Sequence, residues 1–371
     1  VTQPEPVPTL GVEEEFQLLD AHSGQLVSRA DEALAHVPAA DRHSVVGELP
    51  LSQLETVTAV CRTLAEVEAQ VRRLRRVAAT AAGAVGVRIA ASGTPLSAQW
   101  RDQRTGDADR YRNLVAAQRH LTRDQLIAGL HVHVGVADRD RAVAVLDRIR
   151  VDLPLLTALA ANSPYWDSVD TGFASWRAIH WARWPVSGAP PLLGDAAGYD
   201  AAVADLLTTG AVTDVSGVYW DARLSAQFPT VEIRATDVCL RVEETVLIVG
   251  LVRAMVMTAL RDHATGTAPP LVSPGLLRAA AWRAARDGMS GQLVDLRTGG
   301  QPGLVEARVA VDRLVRRLHP ALAAAGDDER VCALANGARR LGTGADRQRR
   351  AYAAGGLEAV AELLVAETVE V

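Results

Sequence analysis

The chain contains no lysine: all 39 of its basic residues are arginine. Without a lysine amine there is no pyridoxal Schiff base, no lysyl-nucleotide intermediate and no P-loop lysine. Any phosphate handled here is therefore neutralised by arginine, metal or backbone amides, and the guanidinium fork suits oxyanions because it binds them bidentately. Three cysteines, Cys61, Cys239 and Cys332, share no CxxC spacing. They read as ordinary buried thiols rather than a disulfide framework or a zinc site. Apolar runs are short as well: Val246–Leu260 and Val151–Ala161 are too short or too polar at their flanks to span a bilayer. A net charge of -5 and a pI near 6.0 give no electrostatic reason to expect nucleic acid or an anionic membrane as the main partner. The opening "VTQPEPVPTL" lacks both a basic segment and an apolar signal core, so residues 1–9 read as a flexible lead-in and the protein as cytoplasmic.

Among 371 residues, a hydrophobic content of 49% allows a large core. Leu10–Leu19 reads as a strand, "DAHSG" as a turn, and "QLVSRA" as its return or a short extension. "SVVGELPLS" is a second strand candidate, Leu54 to Ala84 carries helical spacing, and "VRIAASGT" reads as a strand. Residues 94–110 are loop-like, Tyr111 to Leu126 is expected to be helical, and "GLHVHVGV" is a strand. Asp138 caps a helix reaching about Arg150, and another helix follows Pro154. Four of the seven tryptophans fall between Asn162 and Leu193, in short helix and ordered loop. "GVYWDAR" and "TVEIRATDV" read as an antiparallel hairpin, and from Glu243 the chain is almost wholly helical. With no low-complexity linker, residues 10–371 are expected to form one α+β domain with an antiparallel sheet and a helical C-terminal part.

The acids in "GVEEEFQLLD" raise a chemical question. Successive strand side chains point to opposite faces, so Glu13 and Glu15 share one side and Glu14 lies on the other. Two carboxylates on one face repel unless a cation sits between them, or unless the strand is a solvated edge using charge against aggregation. Glu14 is expected to be an exposed charge whose loss costs under about 1 kcal/mol. Elsewhere, "GELPLSQLET" puts Glu48 at a strand end and Glu55 near the start of the following helix. "GLHVHVG" sets His131 and His133 on one strand face, and "TVEIR" sets Glu232 beside Arg234. Each alone has a bland reading, as surface histidines or a cross-strand ion pair. Together, four segments with acids or histidines that could share a face favour a hard or borderline divalent cation, Mg²⁺ or Mn²⁺ in particular.

At these residues the sequence resembles the bacterial carboxylate-amine ligases, also called glutamate-cysteine ligase type 2 (YbdK-like). The motifs "GVEEEFQLLD", "GELPLSQLET", "ASGT", "RY", "HVHVGV", "NSPYW", "TGFASWR", "WARWP", "VYWDAR", "TVEIRATDV" and "GTGADRQR" carry the resemblance over nearly the whole chain. It implies a curved antiparallel sheet with helices outside it, like the catalytic sheet of glutamine synthetase and γ-glutamylcysteine synthetase. It also implies ATP-dependent amide formation through an acyl phosphate, with glutamate and cysteine as the family's naming pair. Carried over residue by residue, it makes Glu13, Glu15, Glu48, Glu55, His131 and Glu232 a Mg²⁺ shell. Arg234, Arg177 and Arg223 become the catalytic and anion-binding arginines, Trp220 lines the nucleotide site with Arg223 and Arg234, and His133 and Arg177 touch substrate. Two departures stand out: Leu224 where the family often has proline after the "WDAR" arginine, and "SGTPL", with Pro95 where the family often has histidine. The second bears on substrate choice.

A carboxylate does not acylate an amine at neutral pH, so ATP first converts it to an acyl phosphate, which the amine then displaces. A metal-dependent hydrolase would use the same carboxylates and His131 to activate water, and a catalytically silent metal or small-molecule binder would keep the same cluster. ATP dependence separates ligase from hydrolase. The expected partners are small carboxylates and amines, with no nucleic acid and no membrane; a homodimer is compatible with the sequence.

Overall fold

In a computed structural model describing residues 6–98, 100–297 and 302–369, alternation of apolar and acidic side chains builds one large sheet. Residues 1–5 of the expected lead-in, and the side chain of Arg110 in "RY", lie outside the described residues. The first strands are β1 (Leu10–Asp20), β2 (Val45–Gly47), β3 (Gln53–Val57), β4 (Val87–Ala90) and β5 (Gly129–Gly135). A separate two-strand ribbon follows, β6 (Tyr165–Trp166) with β7 (Val169–Asp170). β8 (Ala222–Leu224) and β9 (Thr230–Asp237) complete the main sheet. Its order is β2-β3-β1-β5-β9-β8, and β4 pairs with the second half of β1 beyond β5. Every pairing is antiparallel.

One face of this sheet is core. Leu10, Val12, Phe16 and Leu18 of β1, Leu130, Val132 and Val134 of β5, and Val231 and Ile233 of β9 are all buried there. The helices Leu64–Gly83, Arg139–Ile149 and Val242–Ala264 pack over that side, the last contributing an almost continuous run of buried aliphatics. The other face carries the odd-numbered residues of β1, Gln53 and Glu55 of β3, His131 and His133 of β5, Arg223 of β8, and Glu232 and Arg234 of β9. This period of two separates core from chemistry.

Glu14 belongs to the core face, against expectation. Rather than an exposed charge it is buried, with its carboxylate 2.6 Å and 2.9 Å from the Arg75 guanidinium and 2.7 Å from the Thr245 hydroxyl. Arg75 also donates to the carbonyls of Cys239, Leu240 and Thr368 and to the Thr245 hydroxyl. Such a buried charge persists only with full pairing.

Three element boundaries also differ. Leu54 to Ala84 is not one helix: Gln53–Val57 is strand β3, and the helix begins at Leu64 after Thr63, whose hydroxyl accepts from the Glu66 N–H at 3.1 Å. The "TLAE" stretch is a capping signature that marks this start. Glu55 therefore stands on the sheet, opposite Glu15. The helix expected over Tyr111 to Leu126 covers Asp109–Gln118 and passes into a 3-10 turn, Arg119–Thr122. In the C-terminal third, a hairpin, β10 (Gln292–Asp295) and β11 (Gly303–Glu306), interrupts the helices. Two expected helices form: Asp138 caps Arg139–Ile149, accepting from the Arg141 N–H at 3.0 Å, and Leu153–Leu159 surrounds Pro154. Cys61 and Cys239 are buried free thiols, and Cys332 is half-buried. Among the described residues no helix is long and apolar enough to cross a membrane.

Candidate active site

The strand register brings the acids together. Glu15 pairs with Glu55 across β1 and β3, and Glu13 with His131 across β1 and β5. On β5 and β9, His133 stands opposite Glu232, which in turn stands opposite Arg223 on β8. A register shift follows between Leu130 and Val132, so Arg234 and Ala235 of β9 together face His131, and Arg234 leans toward the acids. Bulges of this kind re-aim side chains beside active sites. Above this floor lies a cleft of about 480 Å³.

Glu13 is the centre of the cluster. Its two oxygens lie 2.9 Å from His131 Nδ1 and 3.2 Å from His133 Nε2, and His133 Nδ1 meets the Thr230 hydroxyl at 2.9 Å. Burial alone would raise the Glu13 carboxyl, but hydrogen bonds from the two imidazoles outweigh it and hold the group well below the usual carboxylate range. Glu15 is different. It accepts the Gly129 N–H at 2.5 Å, yet burial and the Glu48 charge push its carboxyl up to about 7. Burial and the charges of Glu48, Glu13 and Glu15 raise Glu55 in the same way. Burial and the Arg234 charge bring His131 down to about 4, which keeps its imidazole neutral. The strain in these carboxyls is that of like charges crowded away from water.

The fit of a cation can be judged from the donors alone. Ligand atoms of Glu13, Glu55 and His131 lie within 4.8 Å of one another, and so do those of Glu13, His133 and Glu232. Oxygen donors with one imidazole per group match a hard or borderline divalent ion, and a cation would relieve the crowding that raises Glu15 and Glu55.

The arginines stand beside the acids, largely buried. Glu232 is held by Arg223 at 3.0 Å and 3.2 Å and by Arg234, and despite its burial these charges bring its carboxyl to about 2. Arg223 also donates to the carbonyls of Ser216 and Val218, so each of its nitrogens is engaged. The Nε atoms of Arg177 and Arg234 have no partner among the described residues. Arg177, only 1% exposed, makes one guanidinium hydrogen bond among the described residues, to the Arg234 carbonyl at 3.3 Å, and lies 5.3 Å from the Trp181 ring centre.

A buried carboxylate and imidazole cluster beside guanidiniums whose Nε atoms have no partner among the described residues suits anionic groups and a cation, and the chain's similarity to known proteins bears on what they do. A sequence profile of glutamate-cysteine ligase family 2 (GCS2) matches residues 9–363. The chain belongs to this family. A Rhodopirellula baltica protein provisionally named glutamate–cysteine ligase 2 is 42% identical over 369 residues, covering 98% of this chain and 97% of its own. One from Mycolicibacterium vanbaalenii, provisionally named glutamate–cysteine ligase 2-2, is 46% identical over 348 residues, 93% of each chain. The fold resembles that of the Francisella tularensis glutamate–cysteine ligase, solved in complex with AMP, with a TM-score of 0.73 at 13% identity over 98% of this chain and 89% of that one. The family thus makes this protein a carbon–nitrogen ligase with an α+β fold.

Of the residues the sequence singles out, Glu13, Glu15, Glu48, Glu55, His131, His133, Arg177, Arg223, Glu232 and Arg234 all border the cleft. His133, expected to touch substrate, groups with Glu13 and Glu232 as a candidate metal ligand. Glu48 lies outside both triads and its carboxylate accepts the Leu49 N–H at 2.7 Å. Trp220 is not at the site. It is 6% exposed and packs edge-on against Tyr199 in the core, ring centres 5.8 Å apart. Three positions from Arg223, it shares the parity of buried Ala222, while Tyr219 shares that of Arg223 and lines the cleft. Neither Pro95 nor Leu224 lines the cleft, so neither departure touches it directly.

Sequence reasoning missed Trp181 and Trp184, which close one wall with Tyr219, and Gln53 and Gln125 near the floor. One of them was findable: Trp181 stands four residues after Arg177 on the helix Trp176–Trp181, on the same side of it, while Trp184 follows just past the helix end.

Proposed function

We propose that this cleft activates a carboxylate with ATP and joins it to an amine, forming an amide or γ-glutamyl peptide bond through an acyl phosphate, with glutamate as the acid and cysteine or another amine as its partner. The observation that carries the reading is the gathering of Glu13, Glu15, Glu55 and Glu232 around His131 and His133 on one sheet face, with Arg177 and Arg234 holding unpaired donors beside them. Glu13, Glu55 and His131, and Glu13, His133 and Glu232, would hold Mg²⁺ or Mn²⁺, which when bound offsets charge on the transferring phosphoryl oxygens. Arg234 would face that phosphoryl group and Arg177 the substrate carboxylate. Arg223 would act by fixing Glu232. The walls of Trp181, Trp184 and Tyr219 would keep water from an intermediate that water destroys.

A second, mainly apolar cleft of about 770 Å³ adjoins the first and shares Glu13, Val57, His133 and Phe228 with it. Val7, Pro8, Val60 and Val136 line it, a setting suited to the nucleobase, with the phosphates reaching back to Glu13 and His133. The AMP complex of the Francisella enzyme supports nucleotide use in this fold.

The test is a screen of amino acids in pairs with Mg·ATP, measuring ADP and phosphate and identifying the product by mass. ADP and phosphate in step with an amine-dependent product are expected. AMP as the stoichiometric product would overturn the acyl-phosphate route, phosphate release with no amine adduct would return a hydrolase, and no turnover with any pair would leave a binding protein.

A further inference from the structure

Five of the sequence motifs have no member at the reacting centre apart from Arg177, Glu232 and Arg234, yet they converge behind it on Asp237. This carboxylate is 0% exposed and sits at the end of β9. One oxygen accepts the Asn162 N–H at 2.8 Å and the Ser163 hydroxyl at 2.6 Å, and the other accepts the Ser175 hydroxyl at 2.7 Å. Asn162 is itself fully engaged. Its side-chain amide donates to the carbonyls of Ala91 and Val238 at 2.8 Å and 2.9 Å, and its oxygen accepts from Gln348 at 2.8 Å. The packing leaves no slack: a Cβ on Gly93 would lie 2.8 Å from the Asp237 carboxyl carbon, and one on Gly344 would lie 2.0 Å from the Asn162 side-chain oxygen. "ASGT", "NSPYW", "TGFASWR", "TVEIRATDV" and "GTGADRQR" each supply a member.

The two serines point this hub toward the cleft. Ser163 Oγ, while donating to Asp237, accepts the Arg177 backbone N–H at 3.0 Å. Ser175 Oγ, also donating to Asp237, accepts the Ala178 N–H at 3.2 Å and so caps the short helix Trp176–Trp181. Asp237 thus fixes the first turn of the helix that carries Arg177, and its charge faces the Arg177 guanidinium from behind. Among the described residues the guanidinium itself makes one hydrogen bond, at 3.3 Å, and packs on Trp181 and Gly129, with Nε unpartnered; the charges of Asp237, Glu15 and Asp221 attract it without orienting it through a hydrogen bond. A fork whose own hydrogen bonds are so few takes its aim from its backbone. That backbone is anchored by a buried carboxylate that does not line the cleft.

We propose that Asp237, acting through Ser163 and Ser175, is a positioning residue that aims Arg177 at the substrate carboxylate. This rests on the reading of Arg177 as the carboxylate receptor. A buried ionic acceptor suits the task, because hydrogen bonds to a charged group are stronger and more directional than neutral ones, and an error of about 1 Å in a positioned group can cost of order 10²-fold in rate. Alanine in place of either serine removes its bonds to Asp237 and to the helix backbone and leaves Arg177 without that anchor.

The experiment uses the full chain with L-glutamate as the probe. Binding without nucleotide is followed by tryptophan fluorescence, since Trp181 and Trp184 line the cleft, and turnover gives KM for glutamate and for ATP separately. Ser163→Ala and Ser175→Ala are each expected to weaken glutamate about 5- to 30-fold while KM for ATP moves less than about 2-fold. In an Arg177→Ala background the same serine substitutions are expected to add nothing, because their effect runs through the missing side chain. Asp237→Asn should show the same pattern more strongly, and thermal unfolding checks that it folds; if it does not, the serine cycle alone decides. Equal losses for glutamate and ATP, or effects that add fully to Arg177→Ala, would make the hub merely structural and overturn the inference. If Arg177→Ala itself leaves glutamate binding unchanged, or the wild-type protein binds none, the functional reading falls first.

Discussion

Glu14 and Arg75, 61 residues apart in sequence, form an ion pair whose two side chains are each 1% exposed. The pair ties β1 to the helix Leu64–Gly83 directly behind the acidic cluster, so the middle glutamate of "EEE" holds the sheet while its neighbours face the cleft. Breaking one side of a fully buried pair leaves the other charge uncompensated, which typically costs about 3–5 kcal/mol. Glu14→Gln is therefore expected to lower unfolding stability by that order in urea titration, whereas joint replacement by apolar residues of similar volume should cost much less. A Glu14→Gln protein with wild-type stability would show the pair to be dispensable. Mg²⁺ dependence of whatever fraction stays folded should not change.

The face of each strand was legible from alternation, and that was enough to gather Glu13, Glu15, His131, His133, Glu232 and Arg234 before any fold was known. The depth behind each face was not. Glu14 looked exposed because its partner lies on a helix that no local pattern connects to β1. Glu55 was assigned to a helix because Leu54 and the apolar residues after Leu64 fit one helical period, and the capping residues at Thr63 and Glu66 went unweighed. Trp220 failed for a simpler reason: it enters only through the resemblance to the family, whereas its parity with Ala222 places it in the core.

His180 offers a pH test away from the metal candidates. Buried between Trp166 and Trp176, it accepts from Arg183 at 3.2 Å, and burial with the Arg183 charge brings its imidazole down to about 4. An unfolded histidine titrates near 6.5, so between those values only the unfolded chain binds the proton. This stabilisation is complete above about pH 6.5 and falls away as pH drops toward 4, by an amount of order 3 kcal/mol. His180→Gln should flatten this part of the stability profile relative to wild type, and parallel profiles for the two proteins would refute the assignment.

Gly129→Ala tests the seat of Arg177. A Cβ there would lie 2.4 Å from Arg177 Nη2, and the obstructing atom is the end of a flexible side chain, so the guanidinium should move before the strand does. Stability should fall by only about 1–3 kcal/mol, the usual range for overpacking. KM for the acid should rise well beyond that for ATP. A large loss of stability with unchanged substrate constants would mean that the backbone, not Arg177, gave way.

Glu13 and Glu15 give the sharpest test of why a strand carries three acids. Glu13 belongs to both candidate metal groups and bonds both histidines, so Glu13→Gln keeps the shape but removes the one charge common to them. Glu15 belongs to neither group; it lies 3.7 Å from His131 Nε2 and ties Gly129 into place. Both replacements should lower turnover by at least about 10²-fold, the scale on which a single electrostatic contact in a catalytic site registers. They should differ in metal dependence. Calorimetry with Mn²⁺ and activity across a Mg²⁺ titration should show Glu13→Gln weakening the metal strongly and Glu15→Gln less so, because only the first removes a shared ligand. Weakened Mg²⁺ activation in both, unequal in degree, is what a cation held between β1, β5 and β9 requires. A solvated charge run predicts two mild variants with unaltered titrations, and that outcome would leave the opening acids with no part in metal binding.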